Sequence, residues 1–174
     1  GAAHENVYAV KTLIVHDNLV HRNPLRRILR EGGHEVGEAA DGVEGLEALD
    51  REGVDLAISD LLMPNMDGLC FCRAVRLSSR WHSLPLVLCS STHGSPADQK
   101  LALSSGADAF LPRPASKAEV LRSIESLPIR TKLHRPAALS QPGELEAVKY
   151  YSVRRVQALE TKHEELARAS ARNL

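Results

Sequence analysis

The chain has 174 residues, 43% hydrophobic and 25% charged, which fits one globular domain of ordinary size with an appendage. Lys+Arg and Asp+Glu are both 22, so the formal net charge is zero, against the basic excess that a general nucleic-acid-binding surface needs. No apolar run approaches the ~18 residues of a membrane span, and the opening GAAHENVYAV has no signal-peptide pattern, so a cytoplasmic location is expected.

Taken in chain order, TLIV (12–15) predicts a first strand, and His16-Asp17 stands where it gives way to a basic helix. Pro24 conflicts with that helix, since an interior proline costs about 3 kcal/mol. Asn23 as cap with Pro24 at the first helical position removes the conflict, so the helix is expected to begin late or to kink there. Gly32-Gly33 stops it. HEVGEA (34–39) predicts a second strand, and GVEGLEALDREG a helix with Val43, Leu46 and Leu49 inward, ending at Gly53. LAIS (56–59) predicts the third strand, ending at Asp60, and the next helix follows Asp67-Gly68. That helix carries Cys70 and Cys72, whose spacing is neither a redox nor a zinc pattern, so these and Cys89 read as buried thiols. LPLVLC (84–89) predicts the fourth strand, ending at Ser90, and Ser95-Pro96 opens a helix as cap and first residue. DAFLP (108–112) predicts the fifth strand, followed by Arg113 and by a helix whose Ser116 and Glu119 form a capping box.

Strand and helix alternating five times imply an α/β fold, a parallel sheet covered on both faces by helices. In such sheets the binding crevice lies beyond the carboxyl ends of the strands. That rule gathers Asp17, Asp60, Ser90 and Arg113. Two acids, a hydroxyl and a cation suit phosphoryl transfer to a carboxylate. A divalent cation held by oxygen ligands neutralises the incoming group. One carboxylate is the nucleophile, and the hydroxyl and fixed cation bind the remaining phosphoryl oxygens.

The motifs LIVHDN, EAADGVEGLEAL, DLAISDLLMPNMDGL, LPLVLCSS and SGADAFLPRP, in this order and spacing, resemble a bacterial response-regulator receiver domain of two-component signalling over residues 11–127. The resemblance implies a five-stranded, doubly wound, flavodoxin-like fold. It implies that Asp60 accepts a phosphoryl group from a histidine kinase or phosphotransfer protein, and that Asp17, Asp60 and the backbone carbonyl of Leu62 ligate Mg²⁺. Ser90 stands at the family's switch hydroxyl and Phe110 at its aromatic switch. In this class the domain is not an enzyme in the ordinary sense. Two positions depart from the pattern. Arg113 replaces a lysine that contacts the phosphoryl group, exchanging a compact ammonium for a larger fork. His16 replaces an acid, so Mg²⁺ affinity should fall, and a softer ion such as Mn²⁺ or Zn²⁺ becomes an alternative. The remaining histidines, His21, His82 and His93 among them, have no metal-site spacing, and Met63 and Met66 read as loop packing.

The expected organisation is an N-terminal extension (1–10), the receiver (11–127), a linker (128–143) with three prolines, and a C-terminal helix (144–174). Leu145, Val148, Ser152, Val156, Leu159, His163 and Leu166 form an imperfect coiled-coil seam, from which a homodimer is expected. The rival readings are a degenerate receiver serving as a phosphorylation-independent scaffold, or the front of a longer enzyme of cyclic-dinucleotide signalling whose output domain lies outside the chain.

Overall fold

The computed structural model describes residues 9–90 and 94–129, together with Arg168, Ala169 and Ala171, which are helical. The linker from residue 130 on, the coiled-coil seam and most of the N-terminal extension lie outside the described residues. The described part alternates strictly: β1 (Lys11–Val15), α1 (Leu19–Glu31), β2 (Glu35–Ala39), α2 (Gly42–Glu52), β3 (Leu56–Asp60), α3 (Gly68–Leu77), β4 (Leu86–Cys89), α4 (Pro96–Ser104), β5 (Ala109–Leu111) and α5 (Lys117–Glu125). All pairings are parallel, in the order β2-β1-β3-β4-β5. The expected doubly wound sheet is present.

The central strands are apolar over most of their length because both their faces are covered. Leu13, Val15, Ala57, Leu86 and Leu88 point to one side, where Leu46, Leu49, Phe71 and Val75 of α2 and α3 meet them. Ile14, Leu56, Ile58 and Val87 point to the other, against Leu25 and Leu29 of α1 and Val120 and Ile124 of α5. Each such side chain contributes ~1.5–3 kcal/mol when fully buried. All three cysteines are buried, as expected, and Met63 and Met66 pack into the first cluster.

The first helix corrects the sequence reading. It begins at Leu19, capped by Asn18, whose side chain accepts from the Val20 amide at 2.9 Å, and Pro24 sits inside it. The proline removes one backbone bond. Two contributions offset that loss: the cap, and burial of Leu25 and Leu29, one and five residues on. The helix ends at Gly32 and Gly33, the latter at φ 84°, a region glycine enters without strain. Ser116 and Glu119 close the expected capping box, and Ser95 forms a second one with Asp98. α4 buries only Ala102, and its Leu101 and Leu103 are exposed.

Candidate functional site

Hydrogen bonds that continue the ladders past the strand ends set the site. The His16 amide donates to the Ala39 carbonyl at 2.9 Å, the Leu61 amide to the Cys89 carbonyl at 2.9 Å, and the Ser90 amide to the Leu111 carbonyl at 3.3 Å. The side chain of Arg22 donates to the His16 carbonyl at 3.1 Å and the Ala39 carbonyl at 3.4 Å, which ties α1 to the same edge. α3 begins directly against Asp60. A Cβ on Gly68 would lie 2.0 Å from the Asp60 carbonyl oxygen, so only glycine admits this approach. The loop between β3 and α3 is anchored by Asn65, which donates to Asp41 at 2.7 Å.

One ligand atom from each of His16, Asp17 and Asp60 lies within 4.8 Å of the others. His16 and Asp60 are buried, and Asp17 is open to solvent. His16 Nε2 is 3.7 Å from Asp60 Oδ2, and its Nδ1 is 3.3 Å from Asp17 Oδ1. His16 Nδ1 also accepts from the Asn18 amide at 3.0 Å. His16 Nε2 and both Asp60 oxygens are buried without a hydrogen-bond partner. The backbone amides of Leu61 and Leu62 lie near enough to favour the charged Asp60, but neither completes a hydrogen bond of good geometry.

Burial raises the Asp60 carboxyl to about 6, opposed by Arg113 and those two amides and assisted by Asp17. At pH 7 it is still mainly the carboxylate a nucleophile requires. Burial, then the Arg113 charge, push His16 down to about 4, while Asp17 works against both. The ring is therefore neutral at pH 7 and brings no competing positive charge between the two acids. The Cys89 thiol, fully enclosed, is driven up to about 12 and is inert.

The sequence candidates separate into two groups. Asp17, Asp60, His16 and Arg113 act on one another electrostatically, and Ser90 is buried at the adjoining end of β4. Phe110 is half-buried with its ring over Gly94, where it packs with the α3-side core. The Leu62 side chain is exposed. Three participants escaped the sequence reading. His21, given no partner by its spacing, stacks on His16 with ring centroids 5.6 Å apart. The other two are Asn18 and Arg22, which act on His16 through bonds to Nδ1 and the carbonyl. A helical period from Asn18 places residues 21 and 22 over the strand end, which is the signal that could have found them. Beside the pocket, between α1 and the β5–α5 loop, lies an apolar cleft of about 430 Å³ with Pro24, Ile28 and Pro114 in its walls and Arg113 at its end.

Two carboxylates, one buried with orphaned oxygens and one open to water, fit a divalent cation of oxygen preference. The imidazole adds no oxygen to that set.

The family model for the response regulator receiver domain matches residues 12–125. The response regulator MprA of Mycobacterium ulcerans is 37% identical over 125 residues, 72% of this chain and 53% of that protein. The chain thus spans about half the length of the curated relatives it matches. The chemotaxis protein CheY4 of Vibrio cholerae superposes with a TM-score of 0.63 at 32% identity, covering 67% of this chain and 97% of that one. The receiver domain of the sensor histidine kinase PA1611 of Pseudomonas aeruginosa, solved with a magnesium ion coordinated in its active-site cleft, superposes with a TM-score of 0.62 at 25% identity over 67% and 95% of the two chains. With this topology and this strand-end pocket, the chain belongs to the response regulator receiver family and carries the receiver domain of a two-component response regulator.

Proposed function

We propose that Asp60 is the phosphorylated residue of this receiver. Receiver domains interact with histidine kinases or phosphotransfer proteins, and the donor is read here as a phosphohistidine on such a partner. The observation that carries the reading is the pair of buried, unpartnered Asp60 oxygens at the end of β3, beside a second acid and a cation. A buried polar group without a partner costs ~1–3 kcal/mol and calls for an explanation; a reacting or ligated carboxylate supplies one.

An Asp60 oxygen attacks the phosphorus in line. The O–P bond forms as the P–N bond breaks, and the donor nitrogen keeps the electron pair. Arg113 and Ser90 hold the transferred oxygens, and Arg113 also favours the charged form of Asp60. Phe110 is the candidate to report the event by changing its packing over Gly94. Receiver domains bind Mg²⁺ at this edge, where the ion neutralises charge on the phosphoryl group. Asp17, Asp60 and the Leu62 carbonyl would hold it here. With His16 in place of an acid its affinity is lower, and Mn²⁺ is an acceptable substitute. The cleft beside Arg113, with the exposed Leu19, Val20 and Leu62, offers the donor an apolar landing surface. Response regulators are generally signalling proteins rather than enzymes, and this chain is read the same way.

The reading of residues 128–143 as a linker and 144–174 as a dimerising helix completes the proposal, with any output domain beyond the chain. Incubation with acetyl phosphate and Mg²⁺ followed by intact mass tests the central claim; no labile gain of one phosphoryl group would reject it. Sedimentation of the whole chain against a version ending at Leu127 tests the dimer, and two monomers at tens of micromolar would reject that part.

A further inference from the structure

We propose that His16 is a positioning residue, a neutral hydrogen-bond donor aimed at Asp60, held in its Nε2–H form by the Asn18 backbone amide, and is not itself a metal ligand. Its bearing on phosphorylation rests on the Asp60 reading above; its tautomer does not.

A ring nitrogen that accepts a hydrogen bond carries no proton. His16 Nδ1 accepts from the Asn18 amide at 3.0 Å, so the proton of the neutral ring is on Nε2. The opposite tautomer has one attraction, since Nδ1–H could donate to Asp17 Oδ1, which is 3.3 Å away. It would also set two N–H groups against each other at 3.0 Å and leave the Asn18 amide without its acceptor. Asp17 is open to solvent and can be satisfied by water instead. The comparison favours Nε2–H.

That proton faces Asp60. Nε2 is buried without a partner, 3.7 Å from Asp60 Oδ2, which is buried without a partner as well. A closure of about half an ångström brings the pair within hydrogen-bond range. The ring is fixed from several directions, by Arg22 on its carbonyl at 3.1 Å, by its amide bond to Ala39, and by the stacked His21. The acid usual at this position can only accept, and it repels Asp60. An imidazole N–H donates to Asp60, whether carboxylate or acyl phosphate, without adding charge.

The same proton decides the metal question. A nitrogen that binds a metal must present a lone pair, and Nε2 presents a hydrogen. A softer ion therefore gains no nitrogen ligand unless the Asn18 bond is broken. Selectivity remains with Asp17 and Asp60, a set of oxygens.

The test uses the full chain with ¹⁵N-labelled histidine at pH 7 in EDTA, with His16 assigned by comparison with His16→Gln. Long-range ¹H–¹⁵N correlations should show His16 as the neutral Nε2–H form. An Nδ1–H ring or an imidazolium would overturn the proposal, as would Zn²⁺ converting Nε2 to a ligated nitrogen. Beryllofluoride binding with Mg²⁺, followed by ¹⁹F NMR, tests the donor role. His16→Leu should weaken it about fivefold, the worth of one neutral hydrogen bond, while His16→Gln, which keeps an N–H, should stay within about twofold. Equal binding by the Leu variant and the wild type would overturn the donor role. Failure of every variant to bind would instead count against the Asp60 reading, and the ring spectrum would still decide the tautomer.

Discussion

The two edges of the sheet use similar residues in opposite ways. At the edge where strands begin, Arg76 donates to the carbonyls of Gly106, His82 and Leu84 at 2.8, 3.0 and 2.7 Å and to Asp108 Oδ2 at 2.9 Å. Asp108 also accepts from the Leu86 amide at 2.8 Å, and Asp55 from the Lys11 amide at 3.0 Å. Arg76 and Asp108 there are each engaged more than once and hold α3, β4 and β5 in place. At the edge where strands end, Asp60 and His16 are more deeply buried and yet retain unpartnered atoms. Acids and cations with their bonding completed are architecture. Where bonding is withheld inside the protein, at a cost in stability, the site is reserved for something else.

The sharpest way to break that contrast is at Asp60. Asp60→Asn should abolish the labile phosphoryl gain seen by intact mass, an all-or-none effect. It should also stabilise the protein at pH 7. Asp60 has a folded value of about 6 against 3.8, so its native carboxylate is disfavoured by up to about 3 kcal/mol once the pH exceeds both values. The neutral amide escapes that penalty, although it too lacks partners. A higher melting temperature with no phosphorylation is the expected pair of results, and a less stable Asn variant would reject the account of the edge.

Arg76→Ala should do the reverse. Four hydrogen bonds are lost from a largely buried guanidinium, and at ~1 kcal/mol each, less what water replaces, stability should fall by about 2–4 kcal/mol. The urea midpoint reads this directly. Phosphorylation per folded molecule should be unchanged, because no part of this cluster reaches the other edge.

The fold was legible because burial of both sheet faces writes itself as short Val- and Ile-rich runs, and because the caps at Ser95 and Ser116 are local signals. Asp17, Asp60 and Arg113 were legible for a related reason, since the strand ends fix where the crevice must be. The late start expected at Pro24 was wrong because the proline's cost is local, whereas the burial of Leu25 and Leu29 that offsets it is tertiary. His16 could be named from the sequence but not oriented. The direction of its ring depends on the Asn18 amide, and no side-chain pattern encodes a backbone donor. His21 was dismissed on ligand spacing, and its role as a stacked cover belongs to a different rule.

A smaller effect is expected from adding an acid to the unsatisfied edge. His16→Asp places a third carboxylate near Asp17 and Asp60, which raises repulsion without metal and should lower stability in EDTA. Mg²⁺ relieves that repulsion, so its affinity should rise about tenfold, equivalent to about 1.4 kcal/mol. Millimolar Mg²⁺ should then reverse the loss by mass action. Calorimetric titration of both proteins decides, and equal affinities would show that His16 does not limit the metal.

The smallest effect is expected in the unmodified protein, where two large opposing ones cancel. The native His16 titrates at about 4 against 6.5, so as pH falls through that window the unfolded chain takes the proton first and stability is lost. The native Asp60 titrates at about 6 against 3.8, so over nearly the same window the folded chain takes the proton first and stability is gained. The displacements are 6.5 − 4 = 2.5 downward and 6 − 3.8 = 2.2 upward, and both arise chiefly from burial. Their net contribution between pH 7 and 4 is well under about 1 kcal/mol. The variants should uncover the halves. Asp60→Asn leaves His16 alone, so acidification should cost about 3 kcal/mol. His16→Gln leaves Asp60 alone, so acidification should stabilise. Melting temperature against pH in EDTA for the three proteins should give a nearly flat line between two slopes of opposite sign. Three parallel lines would mean that neither group is desolvated at the edge where the strands end, and the contrast with the saturated Arg76 edge would lose its electrostatic basis.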